Sequence, residues 1–238
     1  MNIAVILAGG TGSRLGDSVP KQFLKVAGKT VIEHTVAAFE RNGHIDAIAI
    51  VAHRPFVQAV EAMAPANGWE KVWKILPGGA TRHASSLAAI NACAPHAGCN
   101  LIFHDAARPL VSQRVINEVA EALKEHHAVT AAVAATDTII RVDGSGRFIR
   151  HIPDRDMLRR AQTPQGFRQQ TIASAYRLAL RDPAFAATDD CGTVVKYLPG
   201  EKIFVVRGDE SNIKLTYRED LYLLEALLRR HEAPVNDQ

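Results

Sequence analysis

The sequence predicts an α/β fold, a mostly parallel sheet flanked by helices, and three observations carry that expectation. Ile3 to Leu7 is a continuous apolar run rich in β-branched residues, the pattern of a strand buried on both faces. Thr30 to Glu40 puts Val31, Thr35, Ala38 and Phe39 on one helical stripe and leads into a second apolar strand, Ile45 to Ala52, so strand, helix and strand follow one another. The 238 residues, 47% of them hydrophobic, suffice for one large core. No linker divides the chain, so residues 1–230 are expected to form a single domain, with 231–238 as a frayed tail.

The first strand runs directly into a glycine-rich turn holding Gly9, Gly10, Gly12 and Gly16. Such a loop lets backbone N–H groups approach an anion without interference from Cβ, and Arg14 and Lys21 add fixed positive charge. Two familiar phosphate motifs fail here. Lys21 comes five residues after Gly16 and is followed by Gln22, which breaks the P-loop pattern. The dinucleotide fingerprint meets Leu15 where its third glycine belongs, which weakens a nicotinamide-dependent oxidoreductase reading.

The later elements continue the alternation. A helix is expected from Val57 to Met63 and a strand from Lys71 to Leu76, then a second glycine turn at Pro77, Gly78 and Gly79, with Ser85 or Ser86 opening a helix that runs to Ala94. Loops at the carboxyl ends of strands are where ligands collect in such sheets, so this turn and the first should share a crevice. Arg82 fits equally a place at that crevice or the covering of a helix end. His34, inside the first helix, reads as a satisfied polar residue. Leu101 to His104 forms a third buried strand that ends on Asp105. A carboxylate there suits Mg²⁺, which takes one or two carboxylates together with substrate phosphates, and it could also cap the turn that follows.

Val115 to Glu125 reads as an amphipathic helix and Ala128 to Ala134 as a strand. Two alternating segments then flank Asp143-Gly144-Ser145-Gly146, a hairpin signal. The hairpin, residues 137–152, exposes Ile139, Ile140, Phe148 and Ile149, and such edges should pack on a second subunit. A cation-rich stretch, Arg155, Arg159 and Arg160 before Thr163, is assigned no element. Helices from Gln170 to Leu180 and after Thr188-Asp189-Asp190, a strand from Lys202 to Val206, Lys214, and a helix from Arg218 to Arg230 complete the chain.

Composition excludes several classes. A net charge of +3 from 28 basic and 25 acidic residues is too balanced for a nucleic-acid-binding protein. Cys93, Cys99 and Cys191 lack the spacing of a metal site or a disulfide framework. No apolar run approaches 18 residues and no cleavable leader precedes the first strand, which points away from membranes and to the cytoplasm.

Taken in order, A-G-G-T-G-S-R-L-G, P-K-Q-F, H-D-A-A-R-P, D-T-I, Q-T-P-Q-G-F, T-D-D and N-I-K-L-T resemble, over nearly the whole chain, the cytidylyltransferases that act on 2-C-methyl-D-erythritol 4-phosphate or ribitol 5-phosphate. The resemblance implies a Rossmann-like domain with a protruding β-arm, a homodimer, a divalent cation such as Mg²⁺, and the reaction of CTP with a polyol phosphate to give a CDP-polyol and pyrophosphate. It assigns Ala8, Gly9, Gly10 and Gly12 to CTP, and Arg14 and Lys21 to the triphosphate. Gly79 and Ser85 match the cytosine-recognising turn, Asp105 the metal-binding aspartate that also meets CTP, and Lys214 a second phosphate-side lysine. Arg108, Thr138, Arg155 and Thr163 match acceptor-binding positions, with Arg155 reaching across the dimer. Asp209 and Glu210 are candidates for a second metal-side carboxylate. L-A-G-G, Ala80 and I-P-D-R-D look like the ribitol branch, whereas H-D-A-A-R-P and T-D-D look like the methylerythritol branch, to which the expectation leans. A non-catalytic CTP sensor would keep the glycine loop but need not keep Lys21, Asp105 and Lys214 together.

Overall fold

The computed structural model describes residues 1–10, 19–96, 98–186 and 189–232. Eleven strands and seven α-helices appear among them. In chain order the first half runs β1 (Asn2–Ala8), β2 (Lys25–Val26), β3 (Lys29–Thr30), α1 (Val31–Glu40), β4 (Ala47–Ala52), α2 (Val57–Ala66), β5 (Val72–Pro77), α3 (Arg82–Ala92) and β6 (Asn100–Asp105). The second half runs α4 (Gln113–Ala122), β7 (Ala128–Ala134), β8 (Arg141–Val142), β9 (Ile149–His151), β10 (Arg159–Arg168), α5 (Gln169–Ala179), α6 (Asp190–Tyr197), β11 (Ile203–Arg207) and α7 (Glu219–Glu232).

Seven strands form one sheet in the order β11-β7-β10-β6-β1-β4-β5. Apolar runs occupy its middle because both of its faces are covered. Ala4, Ile6 and Ala8 of β1 face a core with Ile32, Val36 and Phe39 of α1 and Val115, Ile116 and Val119 of α4. Ile3 and Val5 face the opposite core, with Ile90 of α3, Ile172 and Tyr176 of α5, and Val194 of α6. A third cluster seats Leu224 and Leu228 of α7 against Val26, Val31 and Leu215.

From β1 the chain adds β4 and then β5 on one side, then returns to place β6 on the other side of β1, all in parallel. The sheet's switch point therefore lies between β1 and β6, and a ligand crevice is expected outside their carboxyl ends. Leu7 pairs there with Asp105, and on the other flank Ala8 pairs with Ala52, which pairs in turn with Pro77. Both glycine turns thus leave the sheet at one edge.

The sequence does not announce the strand β10. It runs antiparallel between β6 and β7, although its sequence is polar and contains Pro164. Residues Gln162 to Phe167 are nonetheless buried, and the pairing with β7 shifts register between Ala161 and Gln165. Gly166 lets α4 lie close, since a Cβ there would sit 2.7 Å from Leu123 Cδ1 and 2.9 Å from Val119 Cγ1.

Local signals set most helix starts. Thr30 caps α1 in a reciprocal capping box with Glu33. The helix expected to open at Ser85 or Ser86 begins instead at Arg82, capped by the Thr81 hydroxyl, which accepts from Ala84 N–H. His34 is satisfied as expected, its Nε2 lying 2.8 Å from the Val26 carbonyl. The hairpin forms with short strands, and its turn is tied by the Asp143 carboxylate, which accepts from the Ser145 N–H and hydroxyl. Phe148 and Ile149 are 68% and 59% exposed. The three cysteines are free and buried. Helix α7 extends to Glu232, into the stretch expected to fray, and 233–238 lie outside the described residues. Among the described residues no helix is long and apolar enough to cross a membrane.

Candidate active site

The two glycine turns meet face to face. A Cβ on Gly9 would lie 2.9 Å from Ser85 Oγ and one on Gly78 would lie 3.3 Å from Gly9 Cα, so the approach of these loops requires residues without side chains, while a Cβ on Gly79 would lie 2.4 Å from Ala84 Cβ inside its own turn. Ser85 fastens the second turn: its Oγ accepts the Gly79 N–H at 3.2 Å and donates to the Thr81 carbonyl at 3.1 Å. Gln22, to which sequence reasoning gave no role, fastens the first by donating its amide to the carbonyls of Ala8 and Gly10 at 2.7 and 2.9 Å. Between the turns lies a crevice of about 380 Å³ whose walls include Gly9, Gly10, Lys21, Gly79, Ser85, Asp105 and Lys214. Lys21 is seated by a 2.6 Å hydrogen bond to the Leu215 carbonyl. Gly12 and Arg14 lie outside the described residues.

Asp105 ends β6 at the floor of this crevice. Its backbone carbonyl accepts from Arg108 N–H at 3.0 Å and closes the following turn, which leaves the carboxylate to cations. Lys214 Nζ is 2.7 Å from Oδ2 and Arg82 Nε is 3.6 Å from Oδ1. Burial alone would raise the Asp105 carboxyl, but Lys214, Arg82 and Arg108 outweigh it and hold it well below the usual carboxylate range. No cluster of three His, Cys, Asp or Glu that could hold a metal occurs among the described residues. One buried, ionised carboxylate fits Mg²⁺ held jointly with substrate phosphates, and does not fit an all-protein cage. Asp209 and Glu210 are elsewhere: Asp209 pairs with Ser112 and Arg114, Glu210 pairs with Arg160, and both line a separate cleft beside β7 and β11.

Beneath Asp105 runs a chain of hydrogen bonds. The Asp105 N–H donates to Thr163 Oγ1 at 3.1 Å, Thr163 Oγ1 lies 3.0 Å from His104 Nδ1, and His104 Nε2 lies 3.0 Å from the Arg108 carbonyl. Each partner is satisfied when His104 is neutral with its proton on Nε2. The Thr163 hydroxyl is thus spent on holding the strand end. Arg108 is engaged too, its Nη1 donating to the Asn212 carbonyl at 2.7 Å. Thr138 and Arg155 are exposed at the hairpin base, where Arg155 Nη1 is 3.4 Å from the Thr136 carbonyl, and neither lines the crevice.

Known proteins resemble this chain in sequence and in fold. The family model for 2-C-methyl-D-erythritol 4-phosphate cytidylyltransferase matches residues 2–230. The 2-C-methyl-D-erythritol 4-phosphate cytidylyltransferase of Thermobifida fusca (strain YX) is 47% identical over 95% of this chain and 92% of its own. A bifunctional ribulose 5-phosphate reductase/CDP-ribitol pyrophosphorylase of Haemophilus influenzae is 41% identical over 96% of this chain, which spans 48% of that protein. The crystal structure of 4-diphosphocytidyl-2C-methyl-D-erythritol synthase from Anaerococcus prevotii DSM 20548 superposes with a TM-score of 0.84 at 28% identity, covering 96% of this chain and 98% of the other.

The buried imidazole under the site has a measurable signature. His104 is fully buried, and burial lowers its pKa from 6.5 to about 4. Between those values the unfolded chain binds a proton that the folded protein refuses. The group therefore contributes about 3 kcal/mol above pH 6.5 that is lost as pH falls towards 4. Urea unfolding of the metal-free protein at intervals from pH 7.5 to 4 is expected to show this loss, and a His104→Gln protein to show a flatter profile by about one proton.

Proposed function

Since the chain belongs to the 2-C-methyl-D-erythritol 4-phosphate cytidylyltransferase family, it is a CTP-dependent cytidylyltransferase, and we propose that its acceptor is 2-C-methyl-D-erythritol 4-phosphate. The relative from Thermobifida fusca supports that acceptor. A second reading, ribitol 5-phosphate, is favoured by the relative whose name includes CDP-ribitol and by the L-A-G-G and I-P-D-R-D segments. The observation that carries the site is the convergence of both glycine turns, Lys21, Asp105 and Lys214 on one crevice at the switch point of the sheet.

In the reaction, an oxygen of the acceptor's phosphate forms a bond to the α-phosphorus of CTP while the bond to the bridging oxygen breaks and pyrophosphate leaves. That oxygen is already anionic at neutral pH, so the step needs alignment and charge neutralisation and no general base. The amides of Gly9 and Gly10, with Gly12 and Arg14 beyond them in sequence, receive the triphosphate together with Lys21. Gly79 and Ser85 present backbone and hydroxyl to the base. Asp105 would hold Mg²⁺ together with the substrate phosphates, and the ion would supply positive charge to offset theirs. Arg108 and Thr163 sit beside and beneath Asp105, and Lys214 meets the phosphates above it.

Thr138 and Arg155 reach the acceptor from a second subunit in this proposal. The support is that both are exposed and neither lines the crevice of their own chain, and the exposed apolar hairpin beside them gives the two copies a surface to share. The protein works in the cytoplasm, in keeping with three free, buried cysteines.

Three measurements bear on this. Incubated with CTP, Mg²⁺ and either acceptor, the protein is expected to release pyrophosphate with methylerythritol phosphate at a kcat/KM at least about a hundredfold above that with ribitol phosphate, because buried groups matched to one set of hydroxyls are left unpaired by the other. Preference for ribitol phosphate would reverse the acceptor, and tight CTP binding without turnover would indicate a sensor. Lys21→Ala should lower turnover by about 10²- to 10³-fold; wild-type turnover would remove Lys21 from the machinery. Light scattering is expected to report a dimer for the parent protein and a monomer for Phe148→Glu, and a monomeric parent would defeat the shared site.

A further inference from the structure

Arg82 is a cation of the crevice to which the scheme above gives no task. It is the first residue of α3, directly after the turn that takes the base, and it lines the crevice. Its Nη1 donates to Asp190 Oδ2 at 2.7 Å, its Nε lies 3.6 Å from Asp105 Oδ1, and its Nη2 has no hydrogen-bond partner among the described residues. Asp190, at the start of α6, is completely buried, and its other oxygen accepts the Tyr176 hydroxyl of α5 at 2.7 Å. Both oxygens of that carboxylate are therefore occupied in fixing one side chain and bracing it.

A guanidinium that served only to neutralise a buried carboxylate could lie in the interior with it. The Arg82 side chain is instead 25% exposed while Asp190 is at 0%. Anchoring through Nη1 leaves Nη2 without a partner among the described residues and Nε in an ion pair with Asp105 too long for a hydrogen bond, at 3.6 Å, so this edge of the planar fork can still turn to a phosphate. Arg82 stands in the crevice between the turn of Gly79 and Ser85 and the carboxylate of Asp105, so a nucleotide lying across the crevice would meet this edge.

We propose that Arg82 binds a phosphate of CTP, and that Asp190 and Tyr176 are positioning residues that hold its guanidinium at the crevice wall. The proposal rests on the crevice being the CTP site. Asp190 and Asp105 together outweigh the effect of burial and keep Arg82 charged, as that role requires.

The test compares four full-length proteins: the parent, Arg82→Lys, Tyr176→Phe, and the double variant Arg82→Met with Asp190→Leu. The double variant replaces a buried ion pair by an apolar pair of similar volume, a change that folds often tolerate. Calorimetry with CTP and Mg²⁺, the two KM values and thermal unfolding are read for each. The folded double variant is expected to bind CTP about 10- to 100-fold more weakly, the scale of a lost charge-assisted hydrogen bond, with the acceptor KM unchanged. Arg82→Lys keeps the charge without the fork and should lose about tenfold, and Tyr176→Phe a few-fold, again in CTP alone. A folded double variant with parental CTP affinity overturns the proposal. If the double variant does not fold, parental CTP affinity in both single variants overturns it equally. A parent protein that fails to bind CTP would instead remove the reading of the crevice on which the proposal stands.

Discussion

The site depends on one carboxylate kept charged at the end of a buried strand. Asp105 emerges from β6 with its side chain largely shielded from water, a position that would neutralise an isolated acid. Lys214 at 2.7 Å and Arg82 at 3.6 Å make ionisation the favoured state. Each of those cations comes from a different part of the chain, so the charge state of the floor reports that the whole crevice is assembled. In return, the carboxylate fixes the ends of two side chains that would otherwise sweep many rotamers.

Backbone placement of Asp105 is secured separately from its charge. The hydrogen-bond chain through Thr163 and His104 to the Arg108 carbonyl joins β10 to the end of β6 without using the carboxylate. This is why an antiparallel, polar strand sits in the middle of an otherwise parallel apolar sheet: it delivers a hydroxyl to the interior, where a buried N–H and a buried imidazole both need one. A neutral imidazole can accept on one side and donate on the other, and a second serine or threonine at position 104 would not span from Thr163 to the Arg108 carbonyl in the same way.

The glycines obey a steric rule more than a conformational one. Gly9 sits where a Cβ would strike Ser85 and Gly78 where one would crowd Gly9, so the loops that leave β1 and β5 can touch across the crevice mouth. Cations and backbone donors then surround a narrow volume, in which the effective dielectric constant is lower than in water and each interaction is correspondingly stronger.

Much of this was legible in the sequence. The strands at β1, β4, β6 and β7 announce themselves because both faces are buried and the central residues are accordingly apolar in the main, and Ala128–Ala134 is read to the residue. Lys21, Asp105 and Lys214 are charged side chains next to strand ends or in motifs, so their meeting in one crevice could be expected in advance. Tertiary structure alone decided the rest. Nothing local distinguishes Thr81 from Ser85 as a helix cap; the neighbouring Gly79 N–H settles it by claiming Ser85. The polar segment Arg159–Arg168 has no periodicity to mark it as a strand, and becomes one because β6 and β7 leave open ladder edges on either side. Arg82 stood between two readings until Asp190, far off in sequence, was found to hold it at the crevice wall. Apolar burial is written in the residues that are buried, whereas the direction in which a polar side chain is held is written in its partner, and the partner is known only once the chain has folded.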